Sequence, residues 1–225
     1  MMIGPEAYYE LYLKGKNERQ IMTKIRSLKR EISHLKNVME HPEYQCMLHP
    51  REDVRIWCNR LYLDRAKLAL VEMGGTYVSS KAELKAEEFN ANIPYISKVE
   101  FCFGEFFGGF ETRTYIIDGN SVHLDFEHSL ILKPSNLEDD EAEEMDKESF
   151  FESLADLHIG EWRKNYDLSR FGYAVLDGTQ WHLYIYFSNG HRTVKIHGNN
   201  DYPYNFNRLT ELFGIDDWEV KGEEE

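Results

Sequence analysis

His123, Asp125 and Glu127 stand two residues apart, with Leu124 and Phe126 between them and Val122 before them. In an extended chain, residues i, i+2 and i+4 project to one side, so an imidazole and two carboxylates are presented together. That donor set suits a divalent cation and, through it, metal-dependent hydrolysis. Any half-buried strand shows the same alternation, with apolar residues inward and polar residues in water. The plain solvent face is the preferred reading, because no acid-acid-x-Lys pattern completes a nuclease-like set in these strands. His182, His191 and His197 fall on a later hairpin beside Tyr184 and Tyr186, where a polar outer face again explains the residues more simply than a metal. Cys46, Cys58 and Cys102 have no neighbouring histidine or glycine elbow, which weakens nucleophilic catalysis. Neither a G-x-x-x-x-G-K-[ST] loop nor a G-x-G-x-x-G fingerprint occurs, and the glycines of 104–109 are interleaved with aromatics and lead into no helix. No catalytic residue and no cofactor is expected.

Two charged surfaces offer binding instead. Between residues 14 and 36, Lys14, Lys16, Arg19, Lys24, Arg26, Lys29, Arg30 and Lys36 face only Glu18 and Glu31. Arg19, Arg26 and Arg30 share one helical stripe that can track phosphates, so nucleic-acid binding is the alternative function. Residues 133–148 are the reverse: Glu138, Asp139, Asp140, Glu141, Glu143, Glu144, Asp146 and Glu148 against two lysines. Such a run reads as a solvated loop, or as a phosphate-like row offered to a basic groove on a partner protein.

The totals sharpen that contrast. The net charge is −14, but residues 1–90 carry 15 Lys and Arg against 13 Asp and Glu, whereas residues 91–225 carry 11 against 27. The acidic portion should repel nucleic acid unless it imitates it. No apolar run approaches the roughly 18 residues of a membrane span, and no signal-peptide pattern opens the chain, so no membrane partner is expected. An odd set of cysteines without a C-x-x-C pair fits a reduced, cytoplasmic protein.

The elements that must position these groups follow from periodicity. Asn17, with Gln20 three residues on, caps a helix in which Ile21, Ile25, Leu28, Ile32, Leu35 and Met39 step at coiled-coil spacing. A second helix starts at Pro50, with Val54, Trp57, Cys58, Leu61, Leu68 and Val71 as its apolar side, and ends at Gly74-Gly75. The pair reads as an antiparallel helical hairpin, with its seam also open to a homodimer. Ser80 opens a third helix that ends near Asn92. From Ile96 the period is two: strands around Val99–Phe103, Thr112–Ile117 and Val122–Phe126 form an antiparallel meander. Asp146 caps a helix through Phe150, Leu154 and Leu157. Trp181–Phe187 and Val194–Ile196 flank an Asn189-Gly190 turn, and a last helix around Phe206–Phe213 ends at Gly214. The expected fold is therefore α+β: a helical hairpin domain over 1–93, then a β-β-β-α-β-β-α domain over 94–225 carrying the acidic loop 133–148.

Leu157-His158-Ile159-Gly160-Glu161-Trp162, Val175-Leu176-Asp177-Gly178-Thr179-Gln180-Trp181 and Tyr202-Pro203-Tyr204-Asn205-Phe206 resemble a set of uncharacterised bacterial proteins associated with mobile elements. Ile93-Pro94 through Thr114 and the Trp57-Cys58 helix are similar to the same set, so the resemblance covers most of the chain. It implies a soluble accessory protein and transfers no catalytic residue. Joined to the acidic balance, it leads to the expectation of a non-enzymatic inhibitor that occupies the nucleic-acid channel of a bacterial defence complex, in the manner of an anti-CRISPR protein.

Overall fold

Asn17 starts the longest helix as its side chain predicts. Its Oδ1 accepts from the Gln20 N–H at 3.0 Å, and its own N–H donates to Gln20 Oε1 at 3.0 Å. The structure is a computed structural model describing residues 2–46, 49–105, 107–128, 145–174 and 177–215. It divides the chain into two units, residues 1–80 and 81–225.

In the first unit a short helix α1 (Pro5–Tyr8) runs through a π-helical turn, Tyr9–Leu13, toward α2 (Glu18–Met39) and α3 (Glu52–Glu72). Ile21, Ile25, Leu28, Ile32 and Leu35 of α2 are all buried. The first three cluster with Ala66, Ala69 and Leu70 of α3, while Glu31 pairs with Arg55 at 2.7 Å near the other end. The seam therefore packs within the chain. The apolar side of α3 differs from expectation. Val54, Trp57, Leu68 and Val71 face outward, Trp57 being 60% exposed, whereas Ile56, Cys58, Ala66, Ala69 and Leu70 are buried. Alanines at the contact let two helix axes approach closely, so the small-residue face packs and the bulky stripe is left out. Gly74, at φ +85°, and the bond from the Gly75 N–H to the Leu70 carbonyl end α3.

The second unit begins with α4 (Lys81–Asn92), which the sequence reading grouped with the earlier helices. It packs on the 3₁₀ turn Ile159–Glu161, where a Cβ at Gly160 would stand 2.8 Å from the Ala86 Cα. Then follow β1 (Ile96–Glu105), β2 (Gly109–Asp118), β3 (Ser121–His128), β4 (Met145–Asp146), α5 (Lys147–Asp156), β5 (Asn165–Asp167), β6 (Thr179–Phe187), β7 (Val194–Asn199) and α6 (Phe206–Leu212). The class is α+β, with six α-helices and a seven-stranded sheet in the order β4-β3-β2-β1-β6-β7-β5 among the described residues. The sheet is mixed rather than purely antiparallel, because β5 runs parallel to β7. Strands as short as β4 and β5 show no period of two, which is why alternation misses them.

Period two divides the long strands cleanly. Val99 and Phe101 of β1, Tyr115 of β2, Val122 of β3, Trp181, Leu183 and Ile185 of β6 and Ile196 of β7 join one core with Phe89, Phe150, Leu154, Phe206 and Leu209 from the helices and Phe213 just after α6. Trp181 lies so close over β7 that a Cβ at Gly198 would stand 1.9 Å from its Nε1. Asp146 caps α5 by accepting from the Ser149 N–H at 3.1 Å, and Gly214, at φ +67°, follows α6. The β6–β7 register is that of a turn at Asn189-Gly190, but the ladder opens beyond Ile185 and Val194. There Asn189 Nδ2 donates to Asn92 Oδ1 at 2.7 Å and the Ser188 N–H to the Tyr95 carbonyl at 2.8 Å, drawing the loop onto the end of α4.

The closing loop is held by one buried ion pair. Asp201, with 1% of its side chain exposed, accepts from Arg170 Nε at 2.7 Å and Nη2 at 2.8 Å. Arg170→Ala leaves that carboxylate buried without its counter-charge and should cost about 3–5 kcal/mol in urea unfolding.

Candidate functional site

The strand residues that do not enter the core form rows across the other face of the sheet. Register sets Glu127, Thr112, Cys102, His182, His197 and Asn165 side by side on β3, β2, β1, β6, β7 and β5. The next row is Asp125, Thr114, Glu100, Tyr184 and Lys195, and the third is His123, Ile116, Lys98 and Tyr186. His123, Asp125, Glu127, Lys195 and His197 are exposed, and Glu100, His182, Tyr184 and Tyr186 are half-buried. This face carries the candidate site.

Its centre is aromatic. The His182 ring stacks on Tyr184 at 4.4 Å between centroids, and His197 meets Tyr184 edge-on at 5.4 Å. Lys195 Nζ lies 5.1 Å from the Tyr184 ring and Lys98 Nζ 4.3 Å from the Tyr186 ring, both within reach of cation–π attraction. Lys98 also pairs with Glu100 at 2.9 Å, and the second oxygen of Glu100 stands 3.8 Å from His182 Nε2. Toward β5 a shallow hollow of about 410 Å³ is lined by Cys102, Phe110, Gln180, His182, His197 and Asn199.

Burial pushes the His182 imidazole below its ordinary value; Glu100 opposes the fall and His197 adds to it. Burial also raises the Cys102 thiol, Glu100 and Glu127 acting in the same direction and a hydrogen bond with Thr112 against them. A thiol held above its usual range stays protonated at neutral pH, and the thiolate is the nucleophilic form. The Cys102–His182 adjacency is therefore a surface of neutral hydrogen-bonding groups, not an activated nucleophile.

His123, Asp125 and Glu127 do share an outward face, as alternation predicts, but they are not gathered into the alternative cation site. Among the described residues no three His, Cys, Asp or Glu side chains are placed to hold a metal ion. Neighbours two apart on a strand are separated by roughly 6.5 Å and project in parallel. Asp125 in addition turns its Oδ1 to the Phe126 N–H at 2.9 Å. His191 leaves the other hairpin histidines and sits 3.2 Å from Glu88 Oε1. Arg19, Arg26 and Arg30 are exposed on α2, and Arg19 and Arg26 border a shallow groove with Asn17 and Met22. Glu138, Asp139, Asp140, Glu141, Glu143 and Glu144 lie outside the described residues.

Lys98, Glu100 and Thr112 are the site residues that sequence reasoning passed over, while Tyr184 and Tyr186 were read there only as part of a polar outer face. Their signal was present as the even-numbered partners of Val99, Phe101 and Trp181, but register alone brings them into rows. No protein-family model, curated protein or solved structure matches the chain. No helix among the described residues is long and apolar enough to cross a membrane.

A lowered imidazole value means that the unfolded chain takes up the His182 proton first as pH falls. The stability contributed by His182 should therefore be full above its unfolded value, decline as pH drops through that value, and level off below the folded one. Glu100→Gln removes the charge opposing the shift, so the His182 midpoint read by NMR titration should fall further.

Proposed function

We propose that the chain is a non-enzymatic binding protein whose second unit engages a basic partner protein. The observation that carries this reading is the sheet face turned away from the core, an array of packed tyrosine, histidine and lysine side chains over the strands β1, β6 and β7. Aromatic side chains that are half-buried and pre-packed lose little freedom on docking and supply much of the energy of protein interfaces. Charge gives the sign of the partner: residues 81–225 carry 13 Lys and Arg against 30 Asp and Glu, while residues 1–80 carry 13 against 10. Such a field speeds the approach of a basic surface and keeps nucleic acid away. The resemblance to mobile-element proteins then suggests an effector that handles nucleic acid in a bacterial defence complex, blocked by acidic mimicry in which Glu138–Glu144 take part. The first unit, as an antiparallel helical hairpin, serves assembly or docking.

Proteins captured from a bacterial lysate on the immobilised chain should be released by salt and displaced by competing DNA. The Tyr184→Ala/Tyr186→Ala variant should hold the main captured protein about tenfold more weakly. A partner indifferent to salt, to DNA and to both tyrosines would remove the reading.

A second reading rests on α2. Arg19, Arg26 and Arg30 are exposed on one stripe, and no carboxylate pairs with them among the described residues. If this stripe binds nucleic acid, affinity should fall steeply with salt, and replacing all three by alanine should flatten the slope of log affinity against log salt by about 2–3 for duplex DNA. A chain that shifts no DNA or RNA at low salt excludes it.

A further inference from the structure

α3 carries a second stripe on the side turned away from α2. Val54, Trp57, Leu61, Asp64, Leu68 and Val71 follow one another at steps of 3, 4, 3, 4 and 3, the spacing that keeps side chains on one side of a helix and suits packing along another helix. Val54, Trp57, Leu68 and Val71 are 39, 60, 51 and 59% exposed, Asp64 is exposed and Leu61 is half-buried. Residues 49–80 are all described, so the surroundings of α3 among the described residues of its own unit are plain. It packs there against α2, α1 and the π-helical turn, with Ala66, Ala69 and Leu70 on the inner side. Apolar residues exposed singly are ordinary on a surface, but five at heptad spacing along one helix of 21 residues form a patch of the kind that marks an interface.

We infer that this outer stripe of α3 pairs, antiparallel and about a two-fold axis, with the same stripe of a second copy of the chain. The steps of 3, 4, 3, 4 and 3 are unchanged when read backwards, which is the property a self-complementary face needs. A two-fold axis across the middle of α3 sets Val54 against Val71 of the second copy, Trp57 against Leu68 and Leu61 against Asp64, each contact occurring twice. The one polar member of the stripe is answered as well. Arg60, the residue before Leu61, comes beside the Asp64 of the opposite helix and stands four residues before the Asp64 of its own, so each carboxylate lies between two guanidinium groups. A parallel pair would instead set Asp64 against Asp64, placing like charges together in the seam. The inference rests on the reading of the first unit as an assembly element and names its partner; it is independent of what the second unit binds.

The test uses the full chain. Sedimentation velocity across the micromolar range should show a monomer–dimer equilibrium. Trp57→Ala/Leu68→Ala alters only exposed side chains, so the helical circular dichroism should persist while the dimer weakens by about a hundredfold. Arg60→Asp and Asp64→Arg should each weaken the dimer by about tenfold, and the two together should restore it. Spin labels on Met73→Cys in a Cys46→Ser background should stand about 30 Å or more apart in the dimer, because a helix rises 1.5 Å per residue and the two C-terminal ends point in opposite directions; a parallel pair would bring them to about half that distance.

A chain that stays monomeric overturns the pairing, as does a dimer indifferent to Trp57 and Leu68, a double charge reversal that fails to restore it, or labels at the shorter distance. Should Trp57→Ala/Leu68→Ala lose its helical signal, the charge reversals and the label distance decide alone. If the chain is monomeric while its captured partner still answers to Tyr184 and Tyr186, the pairing falls by itself. A dimer of the expected kind whose captured partner ignores those tyrosines keeps the pairing and removes the reading of the second unit.

Discussion

β1 has a long strand on either side and packs one of its faces against α5 and α6, and the second unit depends on that arrangement. Val99 and Phe101 point into a core shared with α5 and α6; the intervening Lys98, Glu100 and Cys102 have no choice but the opposite face. A slip of one residue would bury a lysine and a glutamate and expose two fully buried apolar side chains, so the register is strongly determined. Once β1 is set, β2 and β6 follow, and through them β3 and β7. The rows from Glu127 to Asn165 and from Asp125 to Lys195 are consequences of packing on the side away from them.

That origin also supports the proposed reading of the face as a recognition surface. Neighbouring strands lie about 4.8 Å apart and their side chains stand nearly parallel, so groups in a row are adjacent without converging on one point. His182 and His197 are cross-strand partners, yet their ring centres remain 6.1 Å apart. Burial holds His182 toward its neutral form and Cys102 toward its protonated one, which suits hydrogen bonding and stacking. In the proposed reading, this array of packed rings, in a unit of strongly negative charge, is what meets a basic protein surface.

The first unit obeys a different constraint. α3 carries two apolar stripes, one with Val54, Trp57, Leu68 and Val71, the other with Ile56, Ala66, Ala69 and Leu70. Only one can meet α2, and shape decides between them: the alanines admit the branched seam of α2, which the bulkier stripe would hold at a distance. The consequence reaches beyond the packing, since the seam is consumed inside the chain while Trp57 remains on the surface.

Local signals were legible residue by residue. The Asn17–Gln20 capping box, the Asp146 cap, the glycines after α3 and α6 and the alternation of β1, β2, β3 and β6 each depend on groups a few positions apart, and a sequence displays those directly. The α+β class and the outward placing of His123, Asp125 and Glu127 follow from the same short-range rules. Other matters lay beyond them: which stripe of α3 packs, that α4 sits on Gly160, that β5 joins β7 in parallel, and that Glu100, His182, Tyr184 and His197 are neighbours. These depend on volumes and registers between segments distant in the chain. Such segments compete for the same partners, and only closing the whole core settles which of them touch.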